Sequence, residues 1–204
     1  MTNPSVSTAL DLDAITATRW ADPDAFPEAE FAKAEAFWLA RREHDARLGE
    51  VFDRATALVR EWTGCEPRDV GSFGLRLNLE SSDLDLGIGY PAEDRQALIA
   101  ALAPHTSFKG ERHTRFSTTR LVFSFTVDDV EIDLSALTVE DYAVAGRMLD
   151  EIATTMTEHE RIAHTWVKHL LRAQGRMEDY ASWKLVTYAR FCPEFNWVPI
   201  PETV

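Results

Sequence analysis

Basic residues are scarce in this chain. Lys and Arg number 21 against 34 Asp and Glu over 204 residues, for a formal net charge of −13. Non-specific nucleic-acid binding rests on Lys and Arg neutralising phosphates. The overall balance therefore excludes a general polyanion-coating protein and leaves room only for a local basic patch. Cysteine is scarcer still, with Cys65 and Cys192 alone. Neither has a C-x-x-C partner, so no zinc site is argued, and two free thiols in a reducing cytosol are the reading. No apolar run approaches a membrane span. The opening MTNPSVSTALDLD lacks the basic start and apolar middle of a signal peptide. The expectation is a cytoplasmic protein without a membrane partner.

What is present suits a globular fold. Apolar residues make up 45%, and six Trp and eleven Phe favour burial. The length serves one compact domain or two small ones. Residues 1 to 22 read as polar, aperiodic and mobile. From Pro27 to Thr63 the apolar residues recur at helical spacing, as one long helix or two joined near Asp45 to Gly49, with Gly64 as the stop.

The period then changes to two. Candidate strands are 75–79, 83–88, 107–113, 119–127 and 129–135, with a short helix over 94–103 between them. Asp128-Asp129 suits a tight hairpin turn. Beyond Ser135 the chain is helical again. Thr138 with Asp141 reads as an N-terminal cap, Thr157 with Glu160 as a capping box, Gly175 as a stop, and 178–192 as a last helix. The layout is α+β: a mixed β-sheet core with a leading helix over 23–136, then a helical C-terminal subdomain over 137–204.

Residues 71–86, GSFGLRLNLESSDLDL, carry the chemistry. On a strand, Leu84 and Leu86 point to one side while Asp83 and Asp85 point to the other, about 7 Å apart. A second segment, Val130-Glu131-Ile132-Asp133-Leu134, has the same alternation, with Glu131 and Asp133 on its polar face. If the two strands are neighbours, three or four carboxylates meet. Two unit charges at about 6 Å repel by roughly 3 kcal/mol at an effective dielectric near 20. A divalent cation reverses that sign, and hard oxygen ligands favour Mg²⁺ or Mn²⁺. The Gly71-Ser72 turn, ten residues upstream, offers amides and a hydroxyl to phosphate oxygens. Alone, the alternating aspartates would be a solvent-facing strand edge; the turn at this distance and the second acidic strand favour a metal-assisted phosphoryl or nucleotidyl transfer site.

The pattern G-S, S-D-h-D-h and a later h-D-h resembles the polymerase-β-like nucleotidyltransferase superfamily, nearest its poly(A) polymerase and terminal uridylyltransferase branch. Members read approximately G-S-F-x-x-G-L-x-L-x-x-S-D-h-D-h. This chain matches from Gly71-Ser72-Phe73 to Ser82-Asp83-Leu84-Asp85-Leu86, with Arg76 where the second glycine falls. The resemblance implies that Asp83, Asp85 and Asp133 hold the metals and act in catalysis, with Glu131 the competing third acid. It also implies that Lys168 and Arg172, four apart on one helix face, grip the triphosphate, that Ser182 touches a phosphate, and that Trp183 stacks on the base. Surface helix charges and a core tryptophan are the plainer readings of the last set. His159, His164 and His169 do not converge at a spacing of five and are read as surface or core residues.

The implied activity is Mg-dependent transfer of a nucleoside monophosphate from an NTP, such as ATP, to an acceptor hydroxyl with release of pyrophosphate. The charge balance and short chain point to a small-molecule or protein acceptor. The resemblance points to the alternative, an RNA 3′-hydroxyl. A third reading keeps the fold as an inactive nucleotide-binding or interaction module.

Overall fold

The computed structural model describes residues 10–17, 21–80, 82–113 and 119–193. Its sheet has five strands: β1 (Arg68–Asp69), β2 (Leu84–Tyr90), β3 (Ser107–His113), β4 (Thr119–Val127) and β5 (Val130–Thr138). They lie in the order β1-β2-β5-β4-β3. Among the described residues β2 and β5 run parallel, and the β1–β2, β3–β4 and β4–β5 pairings are antiparallel. The helices are α1 (Leu12–Ala17), α2 (Glu28–Ala40), α3 (Arg42–Thr63), α4 (Arg95–Leu102), α5 (Val139–Thr155), α6 (Glu158–Ala173) and α7 (Met177–Phe191). The architecture is α+β, a mixed sheet flanked by helices.

Alternation builds the sheet core. Leu84, Leu86 and Ile88 of β2 and Ile132, Leu134 and Ala136 of β5 are 0% exposed. They pack against Leu48, Val51, Ala55 and Val59, one stripe of α3, and against Leu98 and Leu102 of α4. A second cluster joins Leu75 and Leu77 to Met148, Leu149 and Ile152 of α5 and Tyr188 and Phe191 of α7. A third centres on Val167 and Leu171 of α6 and Trp183 of α7, and it takes in Leu12 of α1. Part of the segment read as aperiodic is thus helical and packed.

Several sequence expectations need correction. The leading helices meet at Arg41, ahead of the expected junction at 45–49. Arg41 itself is 1% exposed; it donates to Asn78 Oδ1 at 3.1 Å and lies over the Trp38 ring. The segment 75–79 is no strand. Arg76 N donates to Phe73 O and Leu77 N to Ser72 O, which folds the chain into a turn, and β1 occupies the sheet edge beside β2 instead. Leu75, Leu77 and Leu79 are buried all the same, so their alternation reports a loop pressed into the core. The last strand extends to Thr138.

The hairpin and caps follow their residues. Asp128 and Asp129 both take positive φ, 48° and 65°, as a two-residue hairpin turn requires. The Thr157 side chain accepts from Glu160 N, and the Glu160 carboxylate accepts from Thr157 N at 2.7 Å. No described helix is long and apolar enough to cross a membrane.

Replacing Thr157 with Ala removes half of the capping box at the start of α6. The expected cost is about 1 kcal/mol, seen as a fall in Tm of about 2–4 °C by calorimetry.

Candidate active site

Parallel pairing of β2 and β5 puts Asp85 in register with Asp133. Asp83 precedes β2 by one residue and extends the same face. One oxygen from each of Asp83, Asp85 and Asp133 lies within 4.8 Å of the others. Glu131 lies one inward-facing position before Asp133, is exposed, and does not join that group. Asp133 is therefore the third carboxylate of the cluster.

The cluster is under electrostatic stress. Burial, then the Asp83 charge, then Asp133 push the Asp85 carboxyl up to about 6, against relief from Lys184 and Arg120. Burial and Asp83 likewise raise Asp133. A carboxylate trio with hard oxygen donors, converging and disfavoured when ionised alone, fits a divalent cation such as Mg²⁺.

The Gly71-Ser72 turn lies against this cluster. A Cβ at Gly71 would overlap Asp85 Oδ2 and lie 2.6 Å from Asp85 Cβ. Glycine is required because the turn backbone presses on the acid, a reason the sequence reading did not contain. Val70 N donates to Asp85 O at 2.9 Å, which fastens the strand entering the turn to the metal strand. From the helical side, Lys168 Nζ donates to Ser72 Oγ at 3.3 Å and to Leu77 O at 2.9 Å. Burial, then Lys184 and Arg172, hold the Lys168 ammonium down at about 7.

Between the sheet and helices α5 to α7 runs a cleft of about 1050 Å³. Gly71, Ser72, Asp83, Asp85, Lys168, Arg172 and Ser182 all line it, so seven of the nine site residues named from sequence share one cavity. Asp133 reaches it through the carboxylate cluster. Trp183 is the correction. It is 2% exposed and stacks on His164 with ring centroids 4.6 Å apart, inside the α6–α7 core. It cannot serve as a base platform from there. Tyr180, one turn earlier on α7, contributes to the cleft wall instead.

Two basic residues escaped the sequence reading. Lys184 follows Trp183 on α7, and Arg120 opens β4; both line the cleft. Arg120 donates to Ser135 Oγ at 3.1 Å and leaves Nε buried without a partner among the described residues. Arg112 is its cross-strand partner on β3. Arg120, Ser124 and Thr126 share one face of Thr119–Val127 with Val122, a weak signal, and only the strand order places Arg120 near the acids. The cleft is therefore rich in cations although the chain is strongly acidic.

No known family profile and no curated protein matches this chain. Solved structures do. The GLD-2/RNP-8 complex aligns over 83% of this chain and 68% of its own, at 14% identity and a TM-score of 0.51. Cid1 with its short product ApU aligns over 78% of this chain and 54% of its own, at 14% identity and a TM-score of 0.54. A cytoplasmic RNA terminal U-transferase aligns over 72% and 48%, at 13% identity and a TM-score of 0.50. The chain shares its fold with these structures. The resemblance read from Gly71 to Leu86 holds at the level of fold, with GLD-2 and the Cid1 poly(U) polymerase among the neighbours. The chain spans about half the length of the latter two neighbours, Cid1 and the U-transferase.

Two outcomes follow from the packed charges. Gly71→Ala displaces Asp85 and weakens Mn²⁺ binding, measured by paramagnetic resonance, by at least about tenfold, the scale for disturbing a ligand's support. In metal-free protein, Asp85→Asn removes a repelled buried charge and raises Tm, by about 2–4 °C for each kcal/mol relieved. The folded-state pKa of Asp85 lies above its unfolded value, so the folded state takes up the extra proton as pH falls. Metal-free stability gains from this group as pH drops from 7 toward 5, and Asp85→Asn flattens that gain.

Proposed function

We propose that the chain is a Mg-dependent nucleotidyltransferase that moves a nucleoside monophosphate from an NTP to the 3′-hydroxyl of an RNA. The observation that carries the reading is the carboxylate trio beside a glycine-serine turn, in a cleft walled by Arg120, Lys168, Arg172 and Lys184. The net charge of −13 favoured a small cationic or protein acceptor. The local charge supports the reverse: a cleft with several cations suits a triphosphate and a polyanionic acceptor. The neighbours named above include an enzyme bound to the dinucleotide ApU.

In this reading Ser72 and the turn amides bind the triphosphate, with Lys168 and Arg172 behind them and Ser182 at the rim. Asp83, Asp85 and Asp133 would hold Mg²⁺ or Mn²⁺, which supplies charge neutralisation at the α-phosphate and a more acidic hydroxyl. Asp133 lies on the acceptor side and takes the hydroxyl proton. The acceptor oxygen then bonds to the α-phosphorus, the bond to the bridging oxygen breaks, and pyrophosphate leaves. Arg120 and Arg112 lie across the sheet from the turn and hold the acceptor's phosphates. Positioning and electrostatics account for most of the acceleration.

The test is incubation of the chain with each labelled NTP, Mg²⁺ or Mn²⁺, and a panel of oligoribonucleotides, aminoglycosides and proteins. Extension of the oligoribonucleotide with pyrophosphate release is expected. Asp83→Ala and Asp133→Ala should each lower the rate by at least about 10²-fold. Labelling of a small molecule or protein alone overturns the RNA acceptor. Unchanged rates in both variants overturn the catalytic assignment.

A further inference from the structure

Behind the phosphate turn lies a carboxylate that the sequence reading passed over. Asp69 ends β1 and pairs with Leu86, the residue after Asp85. Its Oδ1 accepts from Gly71 N at 3.1 Å, and the nearby Gly74 amide also favours the carboxylate. A Cβ at Gly74 would lie 2.9 Å from that oxygen. Asp69 Oδ2 is buried and has no partner among the described residues. The neighbouring cation makes no hydrogen bond to it: Arg68 pairs with Asp150 at 2.5 Å, and its charge is the smallest relief on Asp69.

An ionisable group buried without a cation is costly unless its hydrogen bonds compensate. Here the compensation comes from the first and last amides of one four-residue turn, 71–74. Arg76 N and Leu77 N close the same turn from its other side, onto Phe73 O and Ser72 O. With the Gly71 and Gly74 amides turned inward to Asp69, the Ser72 and Phe73 amides have no backbone acceptor among the described residues. Ser72 lines the cleft. The acid therefore selects which donors of the turn face a ligand.

We propose that Asp69 is a positioning residue for nucleotide binding, holding the 71–74 turn from behind so that Ser72 and its amide present to the triphosphate. This rests on the nucleotidyltransferase reading above. Asp69 touches no substrate. It acts through the turn, and its effect falls on triphosphate affinity rather than on metal affinity at the carboxylate trio.

The experiment compares wild type, Asp69→Ala and Asp69→Asn in the full chain. Two probes are used: Mn²⁺ alone by paramagnetic resonance, and a fluorescent non-hydrolysable ATP analogue in the presence of Mg²⁺. Asp69→Ala should weaken analogue binding about 10- to 100-fold, the range for supporting partners of a binding group. Mn²⁺ affinity should stay within about twofold. Asp69→Asn keeps an acceptor oxygen for the two amides and should recover to within about threefold of wild type. Wild-type analogue affinity in Asp69→Ala overturns the proposal. So does parallel loss of Mn²⁺ and analogue binding, which marks general disruption, and so does failure of Asn to recover binding while circular dichroism shows it folded. If wild type itself binds Mn²⁺ but no analogue, the nucleotidyltransferase reading fails and this inference falls with it. Binding by wild type and by Asp69→Ala alike sinks the inference alone.

Discussion

The parallel pairing of β2 with β5 is the constraint on which the site depends. It brings Asp85 opposite Asp133 although like charges repel. Nothing within the trio favours that approach, so the energy must come from the opposite face. There Leu84, Leu86, Ile132 and Leu134 are wholly buried against α3 and α4. A register slip of one residue would carry the leucines into the cleft and the aspartates into the core, so the apolar face fixes the position of the acids. The stability of one side of the sheet thus supports the instability of the other, and binding of a cation relieves the stress held there.

Charge on this protein is partitioned. The acids in excess over the whole chain lie largely on exposed helix and loop positions, while the cleft gathers Arg120, Lys168, Arg172 and Lys184 around Asp83 and Asp85. Net charge is a statement about solubility and long-range steering, and a partly enclosed cleft answers to its own walls. Lys168 shows how tightly the two halves are joined: it is 5% exposed, belongs to α6, and donates to the turn at Ser72 and Leu77. Closure of the helices over the sheet and the shape of the phosphate turn are one set of contacts.

The sequence made legible what depends on local period and spacing. Asp83 and Asp85 alternate with leucines, Asp133 with Ile132 and Leu134, and the Thr157–Glu160 box reads at sight. It hid what depends on which strands become neighbours. Arg120 gains its meaning only because β4 lies beside β5, and Asp69 only because a two-residue strand takes the edge beside β2. Base stacking by Trp183 rests on matching an S-W pair to the family, and its burial favours the core reading instead. Helical spacing alone puts Trp183 on one stripe with Tyr180 and Thr187, which are all buried, and leaves Ser182 exposed on the adjoining stripe.

Arg76 shows that the turn's shape outlasts its usual residue. At the position where the resembling family carries glycine, this chain places arginine at φ 61°. A left-handed backbone costs an ordinary residue about 1–2 kcal/mol. Arg76 offsets part of that cost through its guanidinium, 5.1 Å from the Trp38 ring, with Glu158 at 3.8 Å. The surrounding bonds, from Arg76 N to Phe73 O and from Gly71 N to Asp69 Oδ1, hold the turn in that conformation. Strain retained beside a candidate site, where glycine would relieve it, is sustained by the hydrogen bonds that fix the turn around it. The turn is accordingly held by its contacts, with α2 reaching over through Trp38 as an added brace.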